Sequence, residues 1–226
     1  MSGGKFSFTF PVPLDINYSD ASGLITLYAV SEDKNAEAQG RCEDFIIGGT
    51  TDSDLADTTG PDISLYFNSP DFVDGGITSE TPTLHVNLYD DSGINTTGNG
   101  IGHDIVAIID GNEATTYTLN NYYSQTIGDY RSGTIDFTMP ALPAGSHTLL
   151  LRAFDTLNNM GEATIRFTVV EGLTEEYDIF DMAGRLVLSG YSGQSLPKGI
   201  YIRRTRLTSP STGTVSSSSE KFIVTQ

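Results

Sequence analysis

The sequence contains no tryptophan, a single cysteine (Cys42) and only three histidines, His85, His103 and His147. One thiol cannot close an intrachain disulfide. Without paired cysteines or a CxxC spacing, a disulfide framework and a cysteine zinc site are both excluded. Positive charge is scarce as well: twelve Lys and Arg stand against 29 Asp and Glu, a net charge of −17. A field of that sign repels phosphate backbones and anionic headgroups, so no nucleic-acid partner and no membrane-surface binding are expected. No apolar run approaches transmembrane length, so direct membrane insertion is not expected either. Met1-Ser2-Gly3-Gly4 opens the chain without a hydrophobic signal core. What the sequence does have is 226 residues and a hydrophobic share of 38%, enough for real cores.

Helical periodicity is almost absent, whereas period-2 alternation recurs throughout. Phe6-Ser7-Phe8-Thr9-Phe10 alternates cleanly, 24–30 is a buried-strand run, and Asp44-Phe45-Ile46-Ile47 follows. Further strands are expected at 63–67, 84–89, 105–110, 115–119, 133–139, 147–154, 163–170, 177–181, 186–189, 200–204 and 222–225. They are short, rich in β-branched and aromatic residues, and separated by Gly, Asn, Asp, Ser and Pro clusters. Asp110-Gly111-Asn112 has the composition of a tight hairpin turn. The expected fold is all-β in three modules. Residues 1–58 hold too few strands to close a sandwich, and 60–171 have the size and spacing of an immunoglobulin-like β-sandwich. Residues 172–226 form a small C-terminal β-sandwich with a Ser/Thr-rich excursion over 208–219. The boundaries fall at Asp57-Thr58-Thr59-Gly60-Pro61 and Glu171-Gly172.

Catalytic groups are few. A Cys–His pair is formally available, but Glu43 and Asp44 beside Cys42 disfavour a thiolate. His85 alternates with Leu84 and Val86 and reads as the solvent face of a strand, and His147 opens another. No HExxH, HxH or GxSxG occurs. Gly98-Asn99-Gly100-Ile101-Gly102-His103 lacks the GK[ST] ending of a phosphate loop and leads into a strand, so it reads as a glycine-rich connector. No catalytic residue and no cofactor are assigned. The one ligand class with candidate residues is Ca²⁺, which takes Asp, Asn and backbone oxygens at loop ends. The candidates are Asp90 and Asp91 with Asn95, and Asp155 with Asn158 and Asn159. Neither group matches an EF-hand loop, and turn formation is the commoner role of such residues.

The last module is the most specific part. Tyr177-Asp178-Ile179-Phe180-Asp181-Met182-Ala183-Gly184-Arg185-Leu186-Val187 reads as strand, turn and returning strand. Leu196-Pro197-Lys198-Gly199-Ile200-Tyr201-Ile202 follows, and Lys221-Phe222-Ile223-Val224 opens the last strand. Six of the twelve bases lie in this module, a charge asymmetry that suits a segment read by another protein. The pattern resembles the C-terminal sorting domain of type IX secretion cargo in Bacteroidetes. The sorting-motif positions are then Asp181, Gly184, Arg185, Leu196, Gly199, Tyr201 and Lys221. The 208–219 stretch separates the last two strands more than that family's pattern does.

Upstream, Phe10-Pro11-Val12-Pro13-Leu14-Asp15-Ile16-Asn17-Tyr18, Gly23 to Ala29 and Gly48-Gly49 form one recognisable part. Gly60-Pro61-Asp62-Ile63 and Gly100-Ile101-Gly102-His103-Asp104-Ile105 belong to a second. Both resemble the region after the peptidase domain in the gingipain-like cysteine peptidase that serves as the type IX secretion sortase. The family's catalytic Cys and His lie upstream, and no position here matches their motifs. The resemblance implies a non-catalytic C-terminal piece of a larger precursor, with a signal peptide and peptidase domain before Met1. It further implies docking to outer-membrane components of the secretion system through the last module, contact with the chain's own upstream peptidase domain, and a place on the outer-membrane-associated surface of a Gram-negative cell. The alternative is a surface adhesin or glycan-binding sandwich with the same tail, for which Tyr122-Tyr123 would supply a stacking platform.

Overall fold

In the computed structural model, residues 9–16, 22–31, 33–48, 57–98, 102–189, 196–210 and 213–224 are described. Residues 6–8 of the first alternating run, 17–18, 49, 99–101 of the glycine-rich connector and 225 lie outside them. The described chain is all-β, with two three-residue 3₁₀ turns, Glu113–Thr115 and Asn120–Tyr122. Its first strands, β1 (Ile25–Val30) and β2 (Glu37–Cys42), form an antiparallel hairpin with Ile25 opposite Cys42. Nine strands then build the central sandwich: β3 (Asp62–Phe67), β4 (Gly76–Thr78), β5 (Thr83–Tyr89), β6 (Val106–Ile109), β7 (Thr116–Thr118), β8 (Tyr123–Thr126), β9 (Asp129–Thr138), β10 (Gly145–Phe154) and β11 (Met160–Val169). One sheet has the order β3-β5-β9-β8 and the other β4-β11-β10-β6-β7. Every neighbouring pair in them is antiparallel except β4 with β11.

The period-2 pattern explains the core. Leu84, Val86 and Leu88 of β5 are buried, as are Leu149, Leu151 and Ala153 of β10 and Ile165, Phe167 and Val169 of β11. These inward rows meet between the two sheets, where the Phe67 and Phe167 rings lie 4.5 Å apart. At the predicted hairpin turn Asp110 and Gly111 both take positive φ (54° and 67°), and Asn112 N–H donates to the Ile109 carbonyl at 2.9 Å. That is the geometry for which Asp-Gly is selected.

Three strands escape the sequence pattern. β2 (Glu-Ala-Gln-Gly-Arg-Cys) has no apolar alternation and exists because each residue pairs with β1, while β4 and β8 are short strands at sheet edges. Conversely, Asp44-Phe45-Ile46-Ile47 is not a strand; only an isolated bridge joins Ile46 to Ser22.

The last module comprises β12 (Thr174–Asp181), β13 (Leu186–Ser189), β14 (Gly199–Ser209) and β15 (Gly213–Val224). Its described strands make one sheet, ordered β13-β12-β14-β15, where a small sandwich of facing sheets was expected. The expected Ser/Thr excursion is corrected too. β14 and β15 pair from Gly199↔Val224 out to Ser209↔Gly213, so 208–209 and 213–219 extend a hairpin rather than interrupting it. Cross-strand backbone pairing holds this outer part of the ribbon in place.

Backbone contacts tie the first part of the chain and the lead-in to β3 against the sandwich. Leu14 N–H donates to the Thr156 carbonyl at 2.8 Å, with Pro13 buried beside it. Gly60 and Gly161 permit the lead-in to β3 to lie against the start of β11. A Cβ on Gly161 would stand 2.2 Å from the Pro61 carbonyl oxygen, and one on Gly60 would stand 2.1 Å from the Met160 carbonyl carbon.

Candidate functional site

Three segments converge at one end of the sandwich. Asp57 precedes β3, Asp90 follows β5 and Asp155 follows β10. One carboxylate oxygen from each lies within 4.8 Å of the other two. Loop chemistry holds them in place. Asp155 Oδ1 accepts from the N–H groups of Leu157 (2.9 Å) and Asn159 (2.7 Å), and its Oδ2 accepts from Asn159 Nδ2 at 2.8 Å. Asp57 Oδ1 accepts from the N–H and hydroxyl of Thr59, and its Oδ2 accepts from the Ser92 hydroxyl. Asp90 Oδ1 accepts from Ser92 N–H at 2.7 Å. Asn159 Nδ2 also donates to the Asp57 carbonyl at 3.2 Å, so the linker and the β10–β11 loop are stitched together.

Asp90 is 5% exposed and Asp155 fully buried. Among the described residues no Lys or Arg pairs with any of the three; Arg131 bridges Asp129 and Asp91 instead. A cleft of about 510 Å³ opens beside them, lined by Asp57, Asp62, Tyr89, Asp90, Asp91 and Ser92 among others. Burial pushes the Asp90 carboxyl up to about 6, helped by the charges of Asp155, Asp57 and Asp91 and opposed by Ser92 N–H. The Ser92 hydroxyl and the Thr59 donors hold Asp57 below its usual range. Both oxygens of Asp57 and of Asp155 are engaged by fixed donors, which suits holding charge in place better than moving protons.

Of the sequence candidates for Ca²⁺, Asp90 and Asp155 come together here. Asp91 lines the cleft but turns to the Tyr89 hydroxyl (2.7 Å) and Arg131. Asn95 is fully buried and serves a different contact: its amide donates to Asp15 Oδ2 at 3.2 Å, and its oxygen accepts from Thr97. Asn158, at φ 68°, keeps its side-chain oxygen buried with no hydrogen bond among the described residues. Asp57 was missed, being read only as part of a boundary. Its signal is local, an Asp-Thr-Thr turn just before a strand, and no spacing rule connects it to Asp90 or Asp155.

The histidines are each held by an aspartate. His85 Nδ1 lies 2.6 Å from Asp136 Oδ1 and its ring stacks on Tyr66. His103 Nδ1 lies 3.1 Å from Asp15 Oδ2. His147 has both nitrogens engaged, by Asp110 Oδ2 and the Pro143 carbonyl, each at 2.8 Å. Cys42 is exposed on β2, and none of these rings contacts it among the described residues. The tyrosine pair is divided as well. Tyr122 is half exposed, but Tyr123 packs on the core, its ring where a Gly133 Cβ would sit. Burial pushes the Tyr123 phenol up to about 12.

The tail positions form two local devices. Asp181 Oδ1 accepts from the N–H groups of Ala183 (2.9 Å) and Arg185 (3.0 Å), and its Oδ2 accepts from Arg185 Nε at 2.7 Å. Gly184 takes φ 78° to close that turn, which joins β12 to β13. In the second device Tyr201 is buried, and its hydroxyl donates to the Pro197 carbonyl at 2.9 Å. Its ring lies over Gly199, where a Cβ would come within 3.2 Å. Leu196 leads into this turn half-buried, and Lys221 sits exposed on β15 opposite Ile202.

These features define an all-β sandwich protein with an acidic joint at one end and a trailing four-stranded sheet. Over 95% of its length the chain is similar to PorU from Porphyromonas gingivalis, whose crystal structure is that of the dimeric latent form, with 31% identity and a TM-score of 0.52. The chain is thus related to PorU, and it spans 25% of that chain. An endo-β-1,4-mannanase from Thermotoga petrophila shares 16% identity over 49% of this chain and 20% of its own (TM-score 0.33). The fibronectin(III)-like modules of CbhA from Clostridium thermocellum share 10% over 71% of this chain and 94% of their own (TM-score 0.31). These two are distant and add nothing to the reading. No family model and no curated protein matches the chain.

Proposed function

We propose that the chain is the non-catalytic C-terminal region of a gingipain-like cysteine peptidase that serves as the type IX secretion sortase, carried to the cell surface by residues 172–226. The observation that carries this reading is the 31% identity to PorU along 95% of the chain. The tail supports it, because the positions matched to the sorting motif build the β12–β13 turn and the start of the β14–β15 hairpin. The β1–β2 hairpin supports it too. Leu24, Tyr28 and Val30 are all more than half exposed, and a two-stranded ribbon needs a covering partner for independent stability. In this reading the upstream peptidase domain of the same protein provides that cover, and the tail docks on the outer-membrane secretion components.

The test is delivery. The full chain is placed behind a signal peptide in a type IX-competent bacterium and compared with a version ending at residue 171. Surface protease should reach the first and leave the second protected in the periplasm. Equal surface exposure of the two would remove the sorting role from the tail.

A further inference from the structure

His147 is held in a way that a neutral imidazole cannot satisfy. Its side chain is 8% exposed, its ring lies 5.5 Å from that of Phe167, and both of its nitrogens face acceptors at 2.8 Å. Nδ1 meets Asp110 Oδ2, and Nε2 meets the Pro143 carbonyl. A carbonyl has no proton to give. Asp110 has none either: burial pulls its carboxyl upward, but Thr148 N–H, donating to Oδ1 at 2.8 Å, and His147 together hold it below its usual range. Both ring nitrogens then donate, which only the imidazolium does. Burial alone would lower the ring's pKa, yet Asp110 and the Pro143 carbonyl outweigh it and hold the ring above the usual histidine value. Asp110 is the one charged group in contact with the ring among the described residues. Neither β6 nor the 140–145 connector carries a titratable side chain, and Glu113 beyond the turn is exposed. On β11, Arg166 beside Phe167 is paired with Asp74.

The ring joins three pieces at the end of the sandwich from which the tail departs. Asp110 belongs to the turn after β6, His147 stands near the start of β10, and Pro143 lies in the connector between β9 and β10. The start of β10 pairs with the end of β11, Gly145 opposite Val169. Within the connector Leu142 N–H donates to the Glu80 carbonyl at 2.8 Å, and Glu80 Oε2 accepts from Gly172 N–H at 3.3 Å. Gly172, at φ 66°, is the first residue of the tail. We propose that His147 is a protonated pin that holds the 140–145 connector and, through Glu80, the first residue of the tail, and that loss of its proton loosens both. Acid closes the pin and base opens it. The closed form binds the proton more tightly than an open connector, whose histidine titrates near the ordinary value of about 6.5. The pin is therefore fully effective below about pH 6.5 and is lost as pH rises through the higher folded value. Each unit between the two values makes opening about tenfold easier in the deprotonated protein. None of this rests on the sorting role, because it concerns how the tail is held and not what the tail is for.

The experiment titrates the full chain across the histidine range, about pH 5.5 to 9, with nitrogen-15 NMR of the rings and hydrogen exchange of the amides corrected for the intrinsic rate at each pH. His147 should carry protons on both nitrogens at about pH 6.5 and titrate with a midpoint above that value. As the ring deprotonates, Leu142 and Gly172 should lose about tenfold in protection for each unit by which that midpoint exceeds the ordinary one. Asp110→Asn should lower the His147 midpoint by about one unit and carry the exchange change to lower pH with it. Asp136→Asn, which removes the partner of His85 instead, should move neither. The wild-type titration and exchange decide the matter even if Asp110→Asn fails to fold. A proton on only one His147 nitrogen at about pH 6.5, a midpoint at or below that value, or Leu142 exchange that does not follow the ring would each overturn the pin. An unchanged midpoint in a folded Asp110→Asn would do the same. Exchange that follows the ring at Leu142 but not at Gly172 would overturn its reach to the tail.

Discussion

Asp90 shows how much one side chain is asked to tolerate. It is 95% hidden between Asp57 and Asp155, and its carboxyl is raised to about 6. Because the folded value lies above the roughly 3.9 of an unfolded aspartate, this group favours the fold fully only below about pH 4. That contribution is lost as pH rises through about 6. In EDTA, Asp90→Asn should therefore be more stable than wild type above pH 6, by about 1 kcal/mol once water in the cleft screens the repulsion. The gap should close below pH 4, as urea titrations at several pH values will show. A variant less stable than wild type at pH 7.5 in EDTA would mean that Asp90 is already compensated. At this scale the sequence was half legible. Asp90 and Asp155 stood out as Asp at strand ends beside Asn and Gly. Asp57 did not, because the link between a linker aspartate and loops 33 and 98 residues further on exists only once β5 and β10 lie in facing sheets.

At the scale of elements, burial made strands readable and pairing alone did not. β5, β10 and β11 alternate because one side of each faces the core, and their approximate spans follow from the pattern. β2 and the outer half of the β14–β15 hairpin have no such side. They are strands only because a neighbour offers its backbone, and nothing in Glu-Ala-Gln-Gly-Arg-Cys announces that neighbour. Turns were more legible, since Asp110-Gly111 and Asp181 to Arg185 use residues whose backbone conformations are chemically restricted. Glycines at close approaches were not, as the opposing segment is remote in sequence. Gly161 is the sharpest case. Its missing Cβ admits the Pro61 carbonyl, which is backbone and cannot rotate away. Gly161→Ala should cost about 2 kcal/mol or more in thermal or urea unfolding, whereas Gly48, which meets nothing within 4 Å, tolerates alanine.

For the whole molecule, charge is divided unevenly and then settled locally. Residues 172–226 carry six bases against five acids, a net +1, which leaves −18 on the first 171 residues. The expected basic face is nonetheless largely internal. Arg185 pairs with Asp181, Arg203 with Glu220, Arg204 with Asp178, and Arg206 with Glu176 and Asp178. Lys198 and Lys221 have no ion-pair partner among the described residues, so the tail presents a nearly neutral sheet rather than a basic patch. The body keeps its excess of carboxylates, and the joint at Asp57, Asp90 and Asp155 is where that excess is most concentrated. A sandwich, a trailing sheet and histidines already engaged by aspartates are the features on which the proposed non-catalytic role rests. The most direct check is to incubate the chain with tail-bearing type IX cargo and follow the cargo by mass spectrometry. The cargo should remain intact, and cleavage by the wild-type chain that Cys42→Ala abolishes would contradict the account.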